Sequence, residues 1–219
     1  MELKWHEAGS RLYETGISNG ALYIQKSDGT YDKGVAWNGL MSVIGSPSGG
    51  EPSPIYANNV KIGDTISVTD FGGRIEAFTY PDIFAECDGV GLGTGRVLIA
   101  MQKRKRFALV YKTILGNDTN EMEHGYKLHV HYGCRIQPSP VGYTTMSENV
   151  DLLHYSWTFT SLPVRSLRLP PLTYLCLNSS LIESTKMAAI NDILFGTELT
   201  DARLALPDEF MNILSPLSE

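Results

Sequence analysis

A chain of 219 residues, 42% of them hydrophobic and 19% charged, holds enough apolar material for one packed core and too little charge for general disorder. Its 24 acidic residues outnumber 18 basic ones, a net charge of -6, which argues against a general nucleic-acid binder because phosphate backbones are held by basic surfaces. Cys87, Cys134 and Cys176 are odd in number and far apart, so reduced thiols made in a cytosol are expected rather than a disulfide framework. The start of the chain carries no apolar leader, and no run of about 18 apolar residues occurs, which disfavours secretion and membrane spanning.

In chain order, short β-prone runs alternate with Gly- and Pro-rich punctuation, so the fold is expected to be mainly β, a β-sandwich or barrel of roughly eight strands. Strands are predicted near 20–26 and 34–44. Gly45-Ser-Pro-Ser-Gly-Gly-Glu-Pro-Ser-Pro54 is too rich in Gly, Pro and Ser to join a sheet, so a long exposed inter-strand loop is predicted near 45–60, one that orders only on assembly. A strand follows at 60–69. After the flexible Phe71-Gly-Gly73 comes a period-two segment with Arg74, Glu76, Phe78 and Tyr80 on one face and Ile75, Ala77 and Thr79 on the other. Neither face is cleanly polar, which suits a strand whose outer side meets another subunit.

Gly89-Val-Gly-Leu-Gly-Thr-Gly95 reads as a surface loop ahead of the basic run Lys103-Arg-Lys-Arg106. Strands are predicted at 106–115, 125–136 and 172–178. The clearest lies within 150–162, where Leu153, Tyr155, Trp157 and Phe159 alternate with His154, Ser156, Thr158 and Thr160 until Pro163 stops the ladder. Ser180 with Glu183 matches a capping box, and Met187, Ile190 and Leu194 recur at helical spacing before Gly196, predicting one flanking α-helix. The C-terminal segment 197–219 holds a possible short helix from Pro207. The whole of 1–219 reads as one domain.

Little of this carries chemistry. The glycine run lacks the spacing, following helix and lysine of a phosphate cradle. His129 and His131 share one face of a predicted strand, with His124 and Cys134 close in sequence, which is how a β-barrel presents metal ligands; no carboxylate follows at useful spacing. No serine stands in a nucleophile elbow, and no cysteine has a nucleophile's local pattern. Glu121/Glu123 and Asp208-Glu209 read as solvated surface rather than acid–base pairs. The basic run fits a solvated loop or an acidic neighbour. No catalytic, cofactor-binding or metal site is therefore expected, and no cofactor; the chain does not read as an enzyme. Trp157 lies on the regular apolar face, and Trp37 is unassigned.

Several blocks in fixed order are more specific. Trp5-His-Glu-Ala-Gly-Ser-Arg-Leu-Tyr-Glu-Thr-Gly16, Ala36-Trp-Asn-Gly39, Ser46-Pro-Ser-Gly49, Ile55-Tyr-Ala-Asn-Asn59, Ile75-Glu-Ala-Phe-Thr-Tyr-Pro-Asp82, Phe84-Ala-Glu-Cys-Asp88, Leu115-Gly-Asn-Asp-Thr119 with His124-Gly-Tyr-Lys127, Asp192-Ile-Leu-Phe-Gly196 and Leu206-Pro-Asp-Glu209 resemble the major tail proteins of siphophages infecting Gram-positive bacteria. Residues 89–95 and 103–106 depart from the pattern. The resemblance implies a virion structural protein, made in the host cytoplasm, whose hexameric rings stack into a tail tube and form the conduit for DNA ejection. It also implies partners: further copies of the chain, a tape-measure protein, tail chaperones and a tail terminator, with DNA passing transiently and no membrane.

A strand-rich subunit with unpaired edges is suited to ring closure by head-to-tail pairing, and an acidic subunit suits a lumen that repels phosphate. Glu76 is the candidate lumen residue, its alternative being a partner of Arg74. Three other readings stay open. They are the tube of a phage-derived injection or bacteriocin particle, a small β-barrel metal protein using His129 and His131, and a carbohydrate-binding sandwich using Trp37 or Trp157.

Overall fold

The computed structural model describes residues 4–67, 69–92, 97–143, 145 and 153–215. In chain order it contains β1 (Leu12–Ile24), β2 (Val35–Trp37), β3 (Leu40–Ser48), β4 (Pro52–Ala57), β5 (Val60–Ile66), β6 (Asp70–Ala77), β7 (Gly91–Leu92) and β8 (Leu98–Ile99). There follow β9 (Phe107–Asn117), β10 (Glu121–Ile136), β11 (Tyr155–Ser161), β12 (Tyr174–Asn178), α1 (Ser184–Phe195) and α2 (Pro207–Leu214). The fold is mainly β, as the sequence predicts, with a large antiparallel sheet and flanking helices.

Seven strands run β2-β1-β9-β10-β11-β6-β3, and β12 pairs with the part of β10 that β11 leaves free. The division falls at Gly133, whose φ of 59° marks a bulge. Tyr132 points to one face and Cys134, two residues later, to the other. A Cβ at Gly133 would come within 2.4 Å of the Leu162 carbonyl, so only glycine fits this corner.

Both faces of the sheet's centre are buried, which explains the unbroken apolar run Phe107-Ala-Leu-Val-Tyr111. Ala108, Val110, Leu128, Val130 and Tyr132 face the helices, where Met187, Ile190, Leu194 and Phe210 pack on them. Phe107, Leu109 and Tyr111 face the opposite way, into a second core with Leu22, Trp37, Ile75, Phe84, Trp157 and Phe159. The strands on both flanks of the sheet contribute to that second core because the sheet curls. A Cβ on Gly20 of β1 would lie 3.1 Å from Leu40 of β3.

The alternation of β11 holds: Trp157 and Phe159 are buried, Thr158 and Thr160 exposed. Residues 150–152 lie outside the described residues. The helix is also where its spacing places it, with Met187, Ile190 and Leu194 inward and Gly196 closing it at φ 76°. Its start differs. Glu183 occupies the N-cap without a side-chain bond to a helix N–H, and Ser180 instead donates to Asn178 Oδ1 at 2.8 Å in the preceding turn. The segment after α1 folds back, held by Tyr132 Oη to the Ala205 carbonyl at 2.9 Å, and α2 buries Phe210.

The largest correction concerns 45–60. These residues are exposed, yet most are strand: β3 continues to Ser48 against β6, pairing Gly45 with Gly73 and Ser48 with Asp70. β4 and β5 then form a two-stranded arm joined at Asn58 and Asn59, whose φ of 50° and 63° suit a tight hairpin turn. Pro47, Pro52 and Pro54 are tolerated because an edge strand and a free ribbon have N–H positions that pair with nothing. Gly49 and Gly50, at φ 79° and 74°, join body to arm.

Other boundaries moved. β1 begins eight residues before the expected 20, the expected 34–44 breaks at Gly39 (φ 88°), and β5 ends at Ile66. Phe71-Gly-Gly73 is not a flexible lead-in but part of β6. A Cβ at Gly73 would meet the Ile44 carbonyl at 2.2 Å, so bareness here serves close approach of strands. Gly91 and Leu92 pair with β8, while 93–95 of the glycine run lie outside the described residues.

Candidate functional site

A cleft of about 510 Å³ opens between β1, β3, β6, β9, β10 and β12, lined by Glu14, Phe71, Tyr111, His129, His131 and Tyr174 among others. The i, i+2 spacing on β10 puts both histidines on its wall, as the sequence predicts. Neither His124 nor Cys134 joins them: His124 Nδ1 lies 3.3 Å from Asn117 Nδ2, and Cys134 is buried in the second core past the bulge, its thiol pushed up to about 12 by burial.

His129 forms a complete chain. Its Nδ1 is 2.8 Å from Tyr174 Oη, and its Nε2 is 2.7 Å from Thr113 Oγ1 and 3.1 Å from Glu14 Oε1. Thr113 donates to Glu14 at 2.6 Å, and Lys127 Nζ reaches Glu14 Oε2 at 2.5 Å. One neutral tautomer satisfies every contact: Tyr174 donates to Nδ1, and Nε2–H donates towards Thr113 and Glu14. Burial holds the His129 pKa below its ordinary value despite the carboxylate, so the Glu14 contact is a hydrogen bond from a neutral ring. Burial works to raise Glu14, but the bonds from Lys127 and Thr113 and the nearby positive charge outweigh it and hold Glu14 low.

His131 is almost wholly buried and shares its Nε2 with Tyr111 Oη at 3.2 Å; its Nδ1 has no partner among the described residues. Burial, with His129 adding, drives its pKa down to about 3. Phe71 stacks on Tyr174 and Tyr111 on His129, making the cleft an aromatic box around two neutral rings. Among the described residues no group of three or more His, Cys, Asp or Glu side chains is placed to hold a metal ion.

The tryptophans offer no glycan platform. Trp37 and Trp157 are both buried, with ring centroids 6.1 Å apart; Trp37 donates to the Thr79 carbonyl at 2.9 Å and Trp157 to Asp88 at 3.1 Å. Asp208 is a structural anchor, accepting from Ser166 Oγ at 2.6 Å and from the Leu167 amide, and Glu209 pairs with Arg203.

Two surfaces stand out instead. On the arm, Tyr56, Val60, Ile62 and Ile66 are 65%, 63%, 65% and 72% exposed. They stand among the polar Ser53, Thr65 and the Lys61–Asp64 ion pair, so the ribbon exposes large apolar residues within a mixed surface. On the body, the outer face of β3, β6 and β11 carries cross-strand rows Ser42, Glu76, Ser156 and Ile44, Arg74, Thr158, then Ser46, Gly72, Thr160, and Asp70 continues it opposite Ser48. Glu76 accepts from Ser42 at 3.1 Å and lies 3.8 Å from Arg74 on its own strand, so this face is rich in hydroxyls, with Glu76 paired and Asp70 exposed. The basic run is partly structural, Lys105 pairing with Glu86 at 2.5 Å and Arg106 donating to the Gly133 carbonyl at 2.8 Å.

The chain matches no protein-family model and no curated protein. No helix among the described residues is long and apolar enough to cross a membrane.

Proposed function

We propose that this chain is the subunit of a phage tail tube, a virion structural protein whose rings stack into a conduit for DNA. The observation that carries the reading is the β4–β5 arm, a ribbon that exposes Tyr56, Val60, Ile62 and Ile66 and joins neither core of its own subunit. Isolated two-stranded ribbons are marginal in water, so such an arm is stabilised by laying its apolar residues on another copy. Closure into a ring suits the short edge strand β2 and the longer edge strand β3. The hydroxylated β3–β6–β11 face suits a wall along which a polyanion slides, because it offers polar contacts without free cations to capture phosphate. Glu76 stands on that face, with its charge partly answered by Arg74. The cleft around His129 and His131 is read as packing, since both rings are neutral and boxed by aromatics.

Negative-stain microscopy of the concentrated protein tests this. Tubes of uniform diameter are expected, built from the hexameric rings that the resemblance implies. A strict monomer at millimolar concentration in sedimentation would refute it. The same protein in a phage-derived injection particle would form the same tube around other cargo.

A further inference from the structure

The strands of this subunit end in opposite charge. At one end of the sheet the β9–β10 turn carries Asp118, Glu121 and Glu123, all exposed, beside a depression of about 850 Å³ lined by Tyr13 and Thr119 to Glu123. At the other end, where Ile24 pairs with Phe107 and Phe107 with Cys134, a depression of about 710 Å³ is lined by Lys26, Lys103, Arg104, Lys105, Arg106 and Arg135. β9, 11 residues long, separates the two by about 34 Å, ten steps of about 3.4 Å in an antiparallel strand.

Most of these charges have no ion-pair partner within the subunit among the described residues. At the acidic end Lys4 pairs with Glu7 and Arg11 with the His6 ring; Asp118 accepts from the Gly9 amide at 2.9 Å, and none of the three turn carboxylates forms an ion pair among the described residues. At the basic end Asp32 answers Lys26, Glu86 answers Lys105, and Asp28 is held by Thr30. Lys103, Arg104, Arg106 and Arg135 form no ion pair among the described residues, and Arg104 Nε is buried with no hydrogen-bond partner. An acidic chain that gathers unpaired cations at one end and unpaired carboxylates at the other is complementary to itself in one direction only.

We infer that the acidic β9–β10 turn of one copy docks into the basic depression of the next, a head-to-tail contact between identical chains that fixes their polarity. Such a contact is heterologous, so it repeats along a line rather than closing on itself in pairs. The inference deepens the tube reading by naming a contact that joins copies, and it rests on that reading only for what the repeated contact builds.

Carbodiimide coupling, which joins a lysine amine to a carboxylate in contact with it, tests the docking directly. In a mixture of isotope-labelled and unlabelled protein at low salt, mixed-label links from Lys103 or Lys105 to Asp118, Glu121 or Glu123 are expected. Lys103→Glu with Arg135→Glu, and separately Glu121→Lys with Glu123→Lys, should each raise the critical concentration for association about tenfold, equivalent to about 1.4 kcal/mol. The variant carrying all four changes should regain association. Tubes without such links, assembled equally well by both double variants, would overturn the docking and leave the tube reading standing. Links without tubes would leave the docking and remove the tube. A short DNA duplex bound by wild type and lost only in the Lys103→Glu/Arg135→Glu variant, with association unchanged, would make nucleic acid the occupant and overturn the inference.

Discussion

Acidification should strip this fold of stability through His131, whose burial sets the direction of the effect. The ring is 2% exposed, 5.5 Å from Phe71 and 4.8 Å from Tyr174 between centroids, and no carboxylate bonds to it. Its pKa is near 3 in the folded protein against 6.5 for an unhindered ring, so the unfolded chain binds the proton first. Stability from the neutral ring is fully present above pH 6.5 and falls as pH drops towards 3. At pH 4.5 the unfolded chain has gained about 2 pH units of binding free energy, about 3 kcal/mol, while the folded ring is still neutral. Urea unfolding of wild type and His131→Phe at pH 7.5 and 4.5 isolates this share, because phenylalanine fills the same aromatic box without titrating. The stability gap between the two proteins should move by about 3 kcal/mol in favour of the variant on acidification. An identical gap at both pH values, or a His131 resonance titrating near 6.5, would refute the reasoning.

Tyr56→Asp with Ile62→Asp on the arm should leave subunit stability within about 0.5 kcal/mol, since neither residue joins a core, yet abolish tubes in the microscope. Gly73→Ala should destabilise by about 3 kcal/mol in thermal melts, because the new methyl would sit 2.2 Å from the Ile44 carbonyl and 2.9 Å from the Phe159 ring. Thr158→Lys with Ser156→Lys should spare folding and tube growth while making the tube retain DNA in a salt-dependent way, measured by filter retention. Unchanged retention would take the β3–β6–β11 face off the lumen.

What could be read from sequence was whatever one element decides alone. Residues 155–161 alternate because one face meets solvent, and α1 shows its inward residues because a helix repeats them every turn. The shared face of His129 and His131 was legible for the same reason. Their surroundings were not: Glu14, Phe71, Tyr111 and Tyr174 come from four other strands, and only the curl of the sheet brings them together. β9 lies close to its expected 106–115, and the start of β10 outside the expected 125–136, from Glu121, is exposed and reads as a turn. Residues 45–57 misled through composition. Proline and glycine break a central strand, but on an edge or a free ribbon they cost little, and no local signal separates those situations.

The glycine pair at 49 and 50 gives the arm a mechanical meaning. Neither residue carries a side chain to wedge the backbone, the pair stands between a packed body and a ribbon with no core of its own, and the Gly50 amide is held by a single hydroxyl, Ser67 Oγ, at 3.0 Å. A filament whose members grip one another through tethers of this kind takes up curvature at the tether base, leaving each packed body undeformed. Bending stiffness and subunit melting temperature then become separate properties, set by different residues and open to change one at a time.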